Sequence, residues 1–274
     1  MSLRPRRIRS WIPLTMAVLA AAATSLAAQG SASAATFTLP PVHGGFDYQI
    51  GGGYTPPAGV TVVSRDWKDS PAPSLYNICY VNAFQTQKVG DPGGPEDWDS
   101  NLLLQDEEGN VIIDEDWQEA LLDISTAAKR TAVAAQIETQ IDTCASKGFD
   151  ALELDNYDSY TRSNGQITES QAQAYIRLLS AYGHDKGLAV GQKNTVELAP
   201  SHAANGLDFA IAEECGDTLE CGDYIASFGD HAIFIEYTDN GLATACQYGD
   251  QVSIVQRDRD VVAQGTSGYV RHTC

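Results

Sequence analysis

The chain predicts an α/β fold, a single (β/α)8 TIM-type barrel after a cleaved signal peptide, and three observations carry that expectation. Eight short strand-like runs follow one another with turn or helix signals between them. Strand–helix alternation over the length of one domain gives a parallel sheet, and eight such strands fit a closed barrel. Beyond the leader, no internal repeat, low-complexity tract or linker divides the sequence, so residues 35–274 read as one domain.

The leader comes first. Arg4, Arg6, Arg7 and Arg9 form a basic start, residues 11–28 are apolar and Ala-rich, and Ala32-Ser33-Ala34 supplies a small-x-small cleavage pattern. Residues 1–34 are therefore expected to be a signal peptide and the product to be secreted and extracellular. No later stretch is long and apolar enough to span a bilayer, so no membrane partner is expected after processing.

The strands are expected at 46–50, 60–65, 76–84, 151–155, 188–193, 209–213, 232–237 and 253–257. An amphipathic helix is expected over 125–147, with Gly148 as its stop, and a second over 169–186, with Thr168 as N-cap and Gly187 as stop. Residues 90–116 lack periodicity and are rich in Asp, Glu, Gly and Pro. They follow the third strand on the side where barrel active sites are built. Trp98 and Trp117 favour a substrate-binding insertion there over a plain connection.

Composition excludes several classes. With 43% hydrophobic residues the chain fills a core, which rules out a disordered tail or a disulfide-only miniprotein. Its 17 Lys+Arg against 36 Asp+Glu give a formal charge of −19, and losing residues 1–34, which hold four arginines and no acid, makes that −23. Nucleic acid is excluded as the main partner, because phosphate binding needs clustered basic charge. A cationic partner is favoured instead.

All six cysteines lie in the exported part, and an even number in an oxidising compartment points to disulfides. The expected pairs are Cys215–Cys221, closing a short loop, then Cys246–Cys274, fastening the C-terminus, which leaves Cys79–Cys144. No Cys-x-x-Cys occurs and the five histidines are scattered, so no metal and no cofactor are expected. The chain is expected to act as a monomer.

The sharpest local signal is Ala151-Leu152-Glu153-Leu154-Asp155-Asn156-Tyr157-Asp158. Side chains alternate along a strand, so the leucines face one side and Glu153 and Asp155 the other. In a barrel the leucines meet the helices and the acids point inward, Asp155 at the mouth and Glu153 a layer deeper. Lys193, ending the next strand, is the natural counter-ion, and a structural ion-pair network is the competing reading. Other strand ends add Asp66, Glu213-Glu214, Glu236-Tyr237 and Arg257-Asp258. Asp155 and either glutamate of the 213–214 pair sit two strands apart, on the order of 10 Å between α-carbons. Side chains close that to the roughly 5–9 Å of a glycosidase carboxylate pair.

These blocks, with Phe46-Asp47-Tyr48-Gln49, Gly191-Gln192-Lys193-Asn194, Glu213-Glu214-Cys215 with Glu220-Cys221, and Glu236-Tyr237, resemble glycoside hydrolase family 114. The resemblance runs in order through nearly all of residues 44–270. It implies a barrel-fold, endo-acting α-1,4-polygalactosaminidase whose substrate is a cationic amino-sugar polysaccharide. It also implies Asp155 and Glu213 as the catalytic acids, since Glu-x-Cys aligns with Glu213-Glu214-Cys215. Asp47, Tyr48, Asp66, Glu153, Asn156, Asp158, Lys193, Asn194, Glu236 and Tyr237 are the expected substrate-binding residues. Two rivals are a non-catalytic carbohydrate-binding barrel, which keeps aromatics such as Tyr54, Trp67 and Tyr157 but need not keep both acids, and a metal-dependent polysaccharide deacetylase, which needs clustered His and Asp ligands.

Overall fold

Eight parallel strands lie side by side in chain order, as the alternation predicts. The structure, a computed structural model, describes residues 1–2 and 36–274. The expected leader, apart from its first two residues, lies outside the described residues. The strands of the barrel are β1 (Gly45–Gln49), β2 (Val60–Asp66), β3 (Tyr76–Asn82), β7 (Ala151–Asp155), β8 (Ala189–Lys193), β9 (Phe209–Glu213), β10 (Ala232–Glu236) and β11 (Ser253–Arg257). Phe46, Tyr48, Val62, Ile78, Ile211, Ile235 and Val255 fill the interior, and Phe37 and Leu39 pack against the same cluster.

The third strand is shorter than expected. It ends at Asn82, and Gln85 opens β4 (Gln85–Lys88), which pairs antiparallel with β6 (Glu119–Leu121), itself paired with β5 (Ile113–Asp114). The aperiodic segment is thus part of a small three-stranded sheet whose strands, two to four residues long, leave no periodic signal to read.

Two helices match their sequence signals closely. In α1 (Ala127–Lys147) Thr126 caps the start, and Gly148 stops it in the left-handed region at φ 86°. In α2 (Glu169–Asp185) the Thr168 hydroxyl accepts from the Gln171 amide while the Gln171 side chain takes the Thr168 amide, a reciprocal capping box. Helices α3 (Cys215–Thr218), α4 (Cys221–Phe228) and α5 (Asp239–Ala245) complete the described α-helices. No helix follows β1 or β2 among the described residues, so the helical layer is incomplete on that side.

β1 and β11 lie side by side without ladder pairing, and β12 (Arg271–His272) pairs antiparallel with β11. From β12, Arg271 donates to Asp47 Oδ1 and to the Phe46 carbonyl, each at 3.0 Å. Disulfides join Cys79 to Cys144, Cys215 to Cys221 and Cys246 to Cys274, the pairing expected from the sequence. The first ties β3 to α1, and the third fixes the chain end that carries β12.

Candidate active site

The alternation in β7 decides the site. Leu152 and Leu154 pack into the outer core against the helices, which turns Glu153 and Asp155 into the barrel. Glu153 is fully buried, and its oxygens accept from the Tyr48 hydroxyl at 3.0 Å, from the Ser64 hydroxyl and from Lys193 Nζ at 3.0 Å. Burial pushes its carboxyl up, and the Lys193 ammonium opposes that.

Lys193 is the hub. It ends β8, is buried, and places Nζ 3.3 Å from Asp155 Oδ2 and 3.3 Å from Glu213 Oε2, besides Glu153. Burial favours the neutral amine, but Asp155, Glu213 and Glu153 together reverse this and hold the ammonium well above its usual pKa. Sharing one ammonium brings the two facing carboxylate oxygens within about 6.6 Å of each other, compatible with the roughly 5–9 Å of glycosidase pairs.

Each carboxylate has its own clamp. Asp155 accepts from the Asn156 amide at 2.7 Å and from the Tyr80 hydroxyl at 2.8 Å. Burial pushes Asp155 up, yet Lys193, the Asn156 amide and Tyr80 outweigh it and hold the group below the usual carboxylate range. Asp155 is therefore ionised. Glu213 accepts from Asn194 Nδ2 at 3.0 Å and from the Tyr237 hydroxyl, while the Glu213 amide donates to Asn194 Oδ1 at 2.8 Å. That two-point contact fixes the glutamate on the end of β9.

These groups floor a cleft of about 410 Å³, within the usual size of ligand sites. Of the residues expected at the site, Tyr48, Glu153, Asp155, Asn156, Asp158, Lys193, Asn194, Glu213 and Tyr237 gather there. Three do not. In β1 the aromatic Phe46 and Tyr48 fill the interior, so Asp47 points outward to Arg271, Gln49 and Tyr54. Asp66 accepts from the Lys68 amide at 2.8 Å and does not line the cleft. Glu236 faces the helices, where it accepts from the Gly216 amide at 2.7 Å. Trp98 packs against the outer core, whereas Trp117 lines the cleft.

Sequence reasoning missed Tyr80, Glu119, Arg162 and Arg259, all at the cleft. Tyr80 was findable, since it lies opposite Glu153 in register and shares the face of Ile78, which fills the interior. Glu119 arrives with the small sheet. Arg162 pairs with Asp158 of the β7 loop and with Asp114 of β5, so it ties that sheet to the loop after β7. Neither has a local sequence signal. Among the described residues, Cys215, Cys221 and Glu236 form the one cluster of metal-ligand types, and their disulfide withholds both thiolates.

A parallel barrel with opposed carboxylates on the C-terminal ends of its strands is the architecture of a glycosidase. The chain belongs to glycoside hydrolase family GH114, whose model matches residues 26–274. Among solved structures it is similar to Ega3 of Aspergillus fumigatus in complex with galactosamine, at 19% identity, TM-score 0.70, covering 87% of this chain and 98% of that one. It is also similar to the glycoside hydrolase domain of PelA from Pseudomonas aeruginosa, at 13% identity, TM-score 0.54, covering 81% and 97%. At those identities the likeness shows the fold. Comparison with curated proteins gives no match.

Proposed function

We propose that the protein is an exported, endo-acting glycoside hydrolase that cleaves α-1,4-linked galactosamine polymers with Asp155 and Glu213. The observation that carries this is the convergence of both carboxylates on one buried ammonium at the floor of a cleft. Asp155, ionised, stabilises or attacks the anomeric carbon as positive charge develops there. Glu213, oriented by Asn194 and Tyr237, is the second carboxyl group of the pair across the scissile bond. Glu153 sets the depth and charge of Lys193 rather than meeting the sugar.

Charge supports the substrate class. Three carboxylates face one ammonium in the site, and on the cleft walls Glu119, Asp158, Glu214 and Asp260 outnumber Arg162 and Arg259. Free amino groups on galactosamine are protonated near neutral pH and are drawn into such a field, whereas a neutral polymer gains little. The bound galactosamine in Ega3 supports the same sugar. Export is supported by three disulfides, which persist in oxidising compartments. No helix of the described residues is long and apolar enough to cross a membrane. A carbohydrate-binding barrel without catalysis would have no use for both clamped acids.

Digestion of a panel of purified amino-sugar polymers tests the reading. The expected result is internal cleavage of a deacetylated galactosamine polymer, faster than of its fully N-acetylated form, with a salt penalty on the deacetylated one alone. Equal rates on both, unaffected by salt, would overturn the cationic substrate. No cleavage of either by folded protein would overturn the hydrolase assignment to this polymer.

A further inference from the structure

The small sheet between β3 and α1 brings two side chains to the cleft wall that the hydrolytic pair does not need. Trp117 is 49% exposed, the one large exposed aromatic among the described residues, and it lines the cleft. An indole left in water beside a polar floor forgoes the gain of burial, and such exposed rings mark ligand-binding surfaces. Glu119, two residues on, is half-buried on the same wall.

Glu119 is held, not loose. Its Oε2 accepts from Asn82 Nδ2 at 2.8 Å, and Asn82 Oδ1 accepts from Asn156 Nδ2 at 2.9 Å. Asn156 is the residue whose amide donates to Asp155, and Asn82 sits opposite Asp155 in the strand register. The chain of contacts fixes Glu119 relative to the hydrolytic pair. Its Oε1 has no hydrogen-bond donor among the described residues, so it is free to receive one from a ligand.

We propose that Trp117 and Glu119 form an amino-sugar subsite, in which the indole packs on the apolar face of one sugar ring and the Glu119 carboxylate binds that ring's ammonium. The subsite rests on the amino-sugar reading above and gives it a structural source of selectivity. An ammonium makes a charge-assisted hydrogen bond to a carboxylate, about twice as strong as a neutral one. An N-acetyl group offers only a neutral amide and brings bulk.

The surroundings of Glu119 supply a second readout. Burial pushes its carboxyl up to about 7; Asn82 opposes this, Asp155 and Asp114 add to it, and Arg162 opposes it. Tyr80 also lies close enough to feel its charge, and Lys88 is its register partner on β4. Ammonium binding needs the ionised carboxylate, so KM on the deacetylated substrate should fall as pH rises toward 7.

The test compares the full chain with Glu119→Gln and Trp117→Ala, on deacetylated α-1,4-galactosamine oligosaccharides and on the same oligosaccharides N-acetylated. Calorimetry of the deacetylated oligosaccharides with unmodified protein runs alongside. Gln keeps the contact with Asn82, and Trp117 is at the surface, so both variants fold. Glu119→Gln should raise KM on the deacetylated substrate about tenfold, at least fivefold more than on the N-acetylated one, and should remove the KM dependence near pH 7. Trp117→Ala should raise KM on both. Unmodified protein that cleaves the deacetylated substrate, with KM unmoved in both variants or moved equally on both substrates by Glu119→Gln, would overturn the subsite and leave the hydrolase standing. Unmodified protein that neither binds nor cleaves the deacetylated oligosaccharides would overturn the amino-sugar reading and the subsite with it.

Discussion

Strands β7 and β1 both alternate apolar with polar residues, and they do so in opposite senses. In β7 the leucines go outward to the helices and the acids inward. In β1 the aromatic residues go inward and Asp47 goes outward to Arg271. The difference lies in what covers each strand. Helices pack over β7, so its apolar face has somewhere to go. No helix follows β1 among the described residues, and its outer face meets polar groups from β12 and the β1–β2 loop. Alternation reports that a strand has two unlike faces, and only the covering layer says which of them is the inside.

The largest expected effect tests the inward side of this contrast. Asp155→Asn removes the ionised carboxylate, and kcat on a deacetylated galactosamine polymer should fall by about 10³-fold or more, with an unchanged circular-dichroism spectrum. Activity within tenfold of unmodified protein would mean that β7 does not carry the reaction.

Next in size is the hub. Lys193→Met strands Glu153, Asp155 and Glu213 without their shared cation, and breaking a buried pair in this way costs about 3–5 kcal/mol. Denaturant unfolding should show that loss, and adding Glu153→Gln to the same chain should recover part of it. An unchanged midpoint would show that the ammonium is not what holds the floor together.

The outward side of the contrast predicts smaller and different effects. Asp47→Asn should keep kcat/KM within about twofold while lowering stability by about 1–3 kcal/mol, because a buried acceptor for Arg271 and Tyr54 is weakened. A large loss of activity with stability intact would place Asp47 at the substrate after all.

Glu236 gives the smallest effect and the pH dependence. It ends β10 with one oxygen on the Gly216 amide and the other buried without a partner among the described residues. Burial pushes its carboxyl up to about 7 from an ordinary 4.5; the Gly216 amide opposes this, and Asp217 and Glu214 add to it. A carboxyl raised on folding favours the fold in its protonated form. Its contribution is complete below about pH 4.5 and is lost as pH rises through about 7. Glu236→Gln should therefore raise the melting temperature at pH 8 by the equivalent of about 1 kcal/mol, and by less at pH 5. An equal shift at both pH values would remove ionisation as the cause.

These residues also show how far the sequence could be read. β7 was legible because Ala-Leu-Glu-Leu-Asp alternates and its leucines are the only candidates for a helix-facing side. β10 was not, because Ala-Ile-Phe-Ile is apolar on both faces, as parallel strands buried on both sides are. Nothing in such a run says whether the acid that follows points in or out. Caps were legible because they are local, as at Thr168 and Gly148. Glu119 and Arg162 were not, because long-range pairing of a short antiparallel sheet places them.

The pairing of Asp155 with Glu213, not with its neighbour Glu214, is the claim on which the rest stands. Glu213 is clamped by Asn194 and Tyr237 beside Lys193, whereas Glu214 turns to the cleft rim and pairs with Arg259. The direct test is initial-rate measurement of Glu213→Gln and Glu214→Gln on one deacetylated galactosamine polymer at saturating concentration. The expected result is a kcat loss of about 10³-fold for Glu213→Gln and less than about tenfold for Glu214→Gln. An inactive Glu214→Gln beside an active Glu213→Gln would contradict the assignment.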